Sequence, residues 1–269
     1  MGEEIGGGAQ TAVGDQLVAV DVVIGHLAAH PRVSVTHRSV RNAFPSVAFR
    51  PTARERERRM RIGILGTGTL AAALGEGWTR AGHTVVIGGR SQTRARELAE
   101  RLGRGTRAAT PRETAAGRDA VLLAVSFDGV EDMLASAGAS DGALAGTPLI
   151  DPTNATLHGV GTLLTGDGES MAGRIARLAP GARVVKAFHL FPAARWTDPH
   201  GEPRATVAMC GDDPAALDVV GSLVRDVGAA PAVLGGLDRV RQLEEVAGFV
   251  IALAFAGTDP NSAIPRVAP

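Results

Sequence analysis

RIGILGTGTLAAALGEGWTRAG, residues 61–82, is the stretch that decides the fold. Ile62, Ile64 and Leu65 form a short apolar run with the length and β-branched content of a buried strand. Gly66-Thr67-Gly68-Thr69-Leu70-Ala71 follows at once, and Leu70, Leu74, Trp78 and Ala81 then recur along one face of a helix. Strand, Gly-x-Gly-x-x-Ala turn and helix, in that order, predict a dinucleotide site. The first glycine permits the tight turn, the second lets a pyrophosphate approach the backbone, and the small third residue lets helix and strand pack closely. The helix N-terminus adds free N–H groups and partial positive charge. In a chain with 35 glycines the turn alone carries little weight; the strand and helix beside it separate a nucleotide site from a structural turn.

Working outward, residues 83–88 (HTVVIG) predict the second strand, which ends at Gly89-Arg90-Ser91. Ser91 suits the N-cap of a helix over residues 92–102, with Gly103 as its stop. An NAD site places a carboxylate at this strand end for the ribose 2′-hydroxyl, whereas an NADP site places a cation for the 2′-phosphate. Arg90 stands 22 residues after Gly68, close to the usual offset of about 20. Arg94 adds charge one turn later, and Glu97 lies too far into the helix to replace the missing carboxylate. The pattern predicts NADP(H); the competing reading is an arginine-rich surface helix, since Arg96 and Arg101 are also present.

Further strands are expected over residues 107–110, 119–126, 147–151 and 181–188, alternating with helices over 111–116, 130–137 and 169–178. Such alternation builds βαβ units. Residues 192–203 read as loop, 206–210 as a strand, and Asp213-Pro214 opens a helix with Leu217, Val220, Val224 and Val227 on one face. A last helix is expected over residues 237–256; its second half, 249–256, is apolar all round and so predicts burial on every side, in the core or in a subunit interface. The expected architecture is α/β: a Rossmann-type doubly wound parallel sheet over residues 60–190, and a smaller C-terminal α/β substrate domain over 191–269 that completes the cleft and the oligomer interface. Residues 1–59 read differently. Their one apolar stretch, 17–29, is broken by Asp21 and is too short to span a bilayer; Glu3 and Glu4 stand where a secretion signal needs positive charge. They are expected to be a poorly ordered extension without catalytic importance, the working protein starting near Met60.

The 28 basic and 28 acidic residues leave no bulk charge, which argues against nucleic acid or an anionic membrane as partner. Cys210 is the only cysteine, so neither a disulfide framework nor a cysteine metal site is expected, and a cytoplasmic location is the default. There is no tyrosine at all, which excludes reductases whose proton donor is a tyrosine. Ligands of open parallel sheets lie beyond the carboxyl ends of the strands. That places Ala124, Val125, Ser126 and Phe127 under the nicotinamide, with Asn154 and His189 at neighbouring strand ends. For Asn154 the choice is between a ligand contact and a loop brace. Lys186 reads as a strand residue with its amine in solvent. His189 is either a proton donor or the brace of a loop.

Four segments resemble the F420-dependent NADP oxidoreductase family: ILGTGTLAAALGEGW, VVIGGRSQTR, VVKAFHLFPAAR and AMCGDDPAALDVVGSLVRDVG. LEEVAGFVIALAFAG in the closing helix fits as well. The resemblance implies NADP(H) over Thr67, Gly68, Thr69 and Leu70, its 2′-phosphate on Arg90 and Arg94, and the nicotinamide near Val125 and Ala193. It implies coenzyme F420 stacked on that ring in a cleft lined by His189, Leu190, Phe191 and Pro192, and a small homo-oligomer. Val125-Ser126-Phe127 departs from the Ala/Ile-Pro-Trp common in the family, at the position facing the reacting ring. The expected function is hydride transfer between NADP(H) and F420. The alternatives are reduction of a small imine or carbonyl, with His189 or a water as proton donor, and a non-catalytic NADPH sensor.

Overall fold

β1 (Arg61–Leu65) is buried from Ile62 onward because it has neighbours on both sides. It pairs in parallel with β2 (Thr84–Gly88), which pairs in parallel with β3 (Arg107–Ala109); on its other side β1 pairs with β4 (Ala120–Leu123). β5 (Pro148–Asp151) and β6 (Arg183–Lys186) continue the parallel run. β7 (Thr206–Gly211) then joins β6 antiparallel, and β8 (Ala230–Gly235) runs parallel to β7, giving the order β3-β2-β1-β4-β5-β6-β7-β8. The computed structural model describes residues 59–198 and 204–265. The expectation for residues 1–59 therefore lies, but for its last residue, outside the described residues.

Seven helices of the described residues flank the sheet: α1 (Thr69–Arg80), α2 (Gln92–Leu102), α3 (Pro111–Ala115), α4 (Val130–Ala137), α5 (Met171–Leu178), α6 (Pro214–Asp226) and α7 (Val240–Phe255). Side-chain alternation along the strands divides the core in two. Ile62 and Ile64 of β1 meet Leu74 and Trp78 of α1, Leu98 of α2 and Val220, Leu223 and Val224 of α6. Leu65, Leu123 and Leu149 face the other way, toward Met133 and Leu134 of α4, Ile175 of α5 and Leu243 of α7. Helices on both faces make the sheet doubly wound, as the sequence predicts. Ser91 caps α2 by accepting from the Arg94 amide, and Asp213 caps α6 by accepting from that of Ala216.

Residues 191–269, read from sequence as a smaller second domain, contribute β7 and β8 to the same sheet. Val185 and Lys186 pair with Gly211 and Cys210, so the returning chain extends an existing edge instead of seeding a new core. Trp78 Nε1 donates to the Leu223 carbonyl at 3.0 Å, fastening α6 to α1. β8 escaped the sequence reading because Pro231 interrupts its pattern; proline is tolerated there because β8 is an edge strand. The second half of α7 also departs from expectation. Ala254 is buried, but Phe249 is 48% exposed and Val250, Ile251 and Leu253 are half-buried, so within one copy of the chain this run is not enclosed. Among the described residues no helix is long and apolar enough to cross a membrane.

Candidate functional site

Gly66 leaves β1 at φ +136°, and a Cβ there would lie 1.9 Å from the Ala124 carbonyl oxygen. Only glycine lets the ends of β1 and β4 come this close. Its amide donates to the Gly88 carbonyl at 2.7 Å, which ties the turn to β2 as well. Gly68 differs: a Cβ added there meets nothing within 4 Å, so its backbone faces open space. Gly68 is the N-cap of α1, with no side-chain cap and no acidic residue in the first turn. The first N–H groups of α1 are thus left to a ligand or solvent. Ala71 is completely buried against the sheet. Thr67 is half-buried, Thr69 exposed and Leu70 half-buried on this face. Bare backbone donors, an open approach at Gly68 and a helix dipole fit a pyrophosphate.

β2 delivers the adenosine end. A Cβ at Gly89 would come within 2.9 Å of Thr67 Cγ2, so the β1 and β2 exits touch. Arg90 and Arg94 are exposed there, and neither makes an ion pair with the described residues. Two guanidinium groups with nothing to neutralise them fit a 2′-phosphate. Ser91 spends its hydroxyl on the Arg94 amide at 3.3 Å, so its part is to start α2.

Ala124, Val125, Ser126 and Phe127 follow β4, all half-buried; Phe127–Gly129 forms a 3-10 turn held by the Gly129 amide on the Ser126 carbonyl at 3.0 Å. The Ser126 side chain makes no capping bond. Beyond β6, Leu190, Phe191, Pro192 and Ala193 are half-buried. Ala193–Trp196 is a 3-10 turn that brings the chain back to the first core. Phe188 meets Trp78 and Trp196 edge-on, with ring centroids 6.1 and 5.2 Å apart, and Phe191 meets Trp196 at 5.7 Å. Phe188 has φ +63°, a left-handed backbone at a bulky buried residue. That costs on the order of 1–3 kcal/mol and persists only where the surroundings over-determine it.

The surroundings that do so hold the residues sequence reasoning missed. Lys186, expected in solvent, is completely buried. Burial of the preceding apolar strand carries it inward, and its ammonium is accepted by Asp151 Oδ2 at 3.0 Å, Glu244 Oε1 at 2.9 Å and the Thr153 carbonyl. All three donors are used. Glu244, also completely buried, accepts from the Met171 and Ala172 amides at the start of α5, at 2.9 and 3.3 Å. Asp151 Oδ1 accepts from the Thr153 amide and hydroxyl at 2.8 and 2.6 Å. The signal was available: Glu244 stands one turn after Val240 and one before Gly248 on the inward stripe of α7, and a carboxylate there requires partners.

Asn154 is a brace: its Nδ2 donates to the His189 carbonyl at 2.6 Å, which joins the β5 and β6 exits. His189 is buried, and neither ring nitrogen has a well-aligned partner among the described residues. Burial, aided by the Lys186 charge, pushes its pKa from 6.5 to about 3; the Leu243 backbone pulls weakly the other way. The ring is therefore neutral at physiological pH.

The loop after Asn154 turns back on itself, with the Leu157 amide on the Thr162 carbonyl and the Leu164 amide on that of Ala155, both at 2.7 Å. It rests directly on α7, where a Cβ at Gly161 would fall 2.0 Å from the Gly248 carbonyl oxygen.

Residues 61–155 match the family described as NADP oxidoreductase, coenzyme F420-dependent. A crystal structure from Arthrobacter sp. FB24, put forward as an F420-dependent NADP-reductase, is 27% identical with a TM-score of 0.64, covering 74% of this chain and 96% of that one. Rat metalloreductase STEAP3 is 27% identical over 186 residues, 69% of this chain; the chain spans only 36% of that relative's length. The reductive aminase of Aspergillus terreus, in complex with NADPH4, cyclohexanone and allyl amine, shares the fold at 23% identity and a TM-score of 0.54, over 74% of this chain and 63% of its own.

Proposed function

We propose that this chain, whose residues 61–155 match the coenzyme F420-dependent NADP oxidoreductase family, is an NADP-dependent oxidoreductase that transfers hydride between NADP(H) and coenzyme F420. The backbone at Gly68 and the N-terminus of α1 take the pyrophosphate, and Arg90 and Arg94 take the 2′-phosphate. Ala124, Val125 and Ser126 support the nicotinamide from the β4 side, and Ala193 from the β6 side. When bound, NADPH supplies the hydride. Phe127, Leu190, Phe191 and Pro192 offer an apolar wall for a flat acceptor, and Asn154 holds that wall's loop in place through the His189 carbonyl.

What supports F420 over a small imine or carbonyl is the setting of His189, buried with no well-aligned hydrogen-bond partner on either ring nitrogen among the described residues. Reducing an imine or carbonyl requires a proton delivered to the nascent amine or alkoxide. His189 is the titratable ring at this strand end; burial lowers its pKa to about 3, so it is no imidazolium donor, and a small imine or carbonyl would have to draw its proton from water. Transfer between two stacked rings needs orientation above all. The decisive assay mixes the protein with NADPH and F420 and follows the absorbance of both. Exchange between the two is expected; no exchange at any pH defeats the assignment. NADPH binding without turnover of any acceptor would make the protein a sensor.

A further inference from the structure

We propose that Asp151, Lys186 and Glu244 form a positioning network for the acceptor side of the cleft: they lock the β5 and β6 exits to α7, so that the acceptor's orientation depends on them while the grip on the NADP(H) phosphates does not. The claim about the acceptor rests on the function proposed above. The claim about the strand exits stands on geometry.

Each bond of the network crosses between elements. Lys186, at the last position of β6, reaches Asp151 at the last position of β5 at 3.0 Å, and also the carbonyl of Thr153 two residues further on. Glu244 brings in α7 at 2.9 Å and, through the Met171 and Ala172 amides, the N-terminus of α5. Two carboxylates and one ammonium leave an excess negative charge, and the positive end of α5 lies against the carboxylate that needs it. From this knot two ties lead to the cleft. Asp151 fixes Thr153 by its amide and hydroxyl, and the next residue, Asn154, grips the His189 carbonyl at 2.6 Å. Between Lys186 and His189 lies Phe188 at φ +63°, a conformation that relaxes unless both of its flanks are held. A shift of Glu244 thus moves the loop bearing His189 and Leu190. Among the described residues, the pyrophosphate and 2′-phosphate sites, on β1 and β2, share no side-chain hydrogen bond with the network.

Packing alone does not require these charges, since apolar side chains of similar volume are commonly as stable as a buried ion pair. Their placement at the ligand-facing strand ends is what a fixed acceptor loop needs.

The test uses the full chain with Glu244→Gln and, as a charge-free counterpart, the triple variant Asp151→Asn/Lys186→Met/Glu244→Gln. Melting, NADPH affinity by nicotinamide fluorescence, kcat and KM for F420 at saturating NADPH, and the His189 Cε1–H resonance (assigned with His189→Gln) are compared with the unaltered protein. We expect NADPH affinity to be retained, kcat to fall by about tenfold to a hundredfold, and the His189 resonance to move, in whichever variant melts cooperatively. An unchanged kcat and resonance with a lowered melting temperature would make the network merely structural and overturn the proposal. So would a loss of NADPH affinity that accounts for the lost turnover. If the unaltered protein does not exchange hydride with F420, the functional assignment fails, and the resonance and NADPH affinity still decide whether the network positions the loop.

Discussion

Arg90 and His189 illustrate opposite outcomes for a charged or titratable residue at the end of a strand. Arg90 is exposed and makes no ion pair with the described residues, so its whole charge is available to a ligand. Arg90→Ala should raise the KM for NADPH by about tenfold or more, the worth of a charge-assisted hydrogen bond, and leave that for NADH nearly unchanged; equal effects in steady-state assays would reject the 2′-phosphate role. His189 is held neutral by burial. Because its folded-state pKa, about 3, lies below the ordinary 6.5, the unfolded chain takes up a proton first as the pH falls. Its contribution to stability is therefore complete above pH 6.5 and is lost progressively toward pH 3. Each pH unit in that window costs about 1.4 kcal/mol from this one group. Urea unfolding of the parent and of His189→Leu at pH 7 and pH 5 should show a shallower acid loss in the variant; parallel losses would mean that the ring is protonated in the fold.

Among the elements, the turn between β1 and α1 separates a glycine needed by the fold from one needed by the ligand. Gly66→Ala forces a Cβ to 1.9 Å from the Ala124 carbonyl at φ +136°. It should destabilise by roughly 3 kcal/mol or more, as overpacking and backbone strain combine. Gly68→Ala meets no protein atom and has an ordinary φ of −79°. It should melt as the parent does, yet bind NADPH more weakly, because the added methyl projects into the space proposed for the pyrophosphate. Calorimetry and fluorescence titration of the two variants check the contrast; similar behaviour of both would dissolve it. The motif and the part of each glycine were legible in sequence, but that the Ala124 carbonyl is what bars a side chain at Gly66 was not, since that depends on where β4 ends. The network of Lys186 was hidden for a related reason. Asp151, Lys186 and Glu244 are separated by 35 to 93 residues, and only the sheet and α7 bring them together.

For the molecule as a whole, one sheet of eight strands among the described residues carries both the proposed dinucleotide face and the proposed acceptor loop. Met60 is tied to that structure by its amide, which donates to His83 Nδ1 at 3.1 Å. A chain starting at Met60 should keep NADPH affinity and turnover; loss of either gives residues 1–59 a part in function. The expected homo-oligomer is proposed to form along the exposed side of α7, where Val246 and Phe249 are 38% and 48% exposed and the adjoining loop presents Leu157, Val160 and Leu164. An apolar surface of this kind asks for a partner. Phe249→Glu should shift sedimentation toward a monomer, and a monomeric parent would remove the argument.

The sequence by itself determined the dinucleotide turn, the cation at the end of β2, the alternating strands and helices and the caps at Ser91 and Asp213. These depend on local periodicity, turn stereochemistry and short spacings, all written in contiguous residues. Only the tertiary structure decided that Lys186 is buried, that Asn154 is a brace, that His189 stays neutral and that β7 and β8 extend the first sheet. Burial and charge pairing are properties of what lies opposite in space, and for these residues the opposite partner comes from a distant part of the chain.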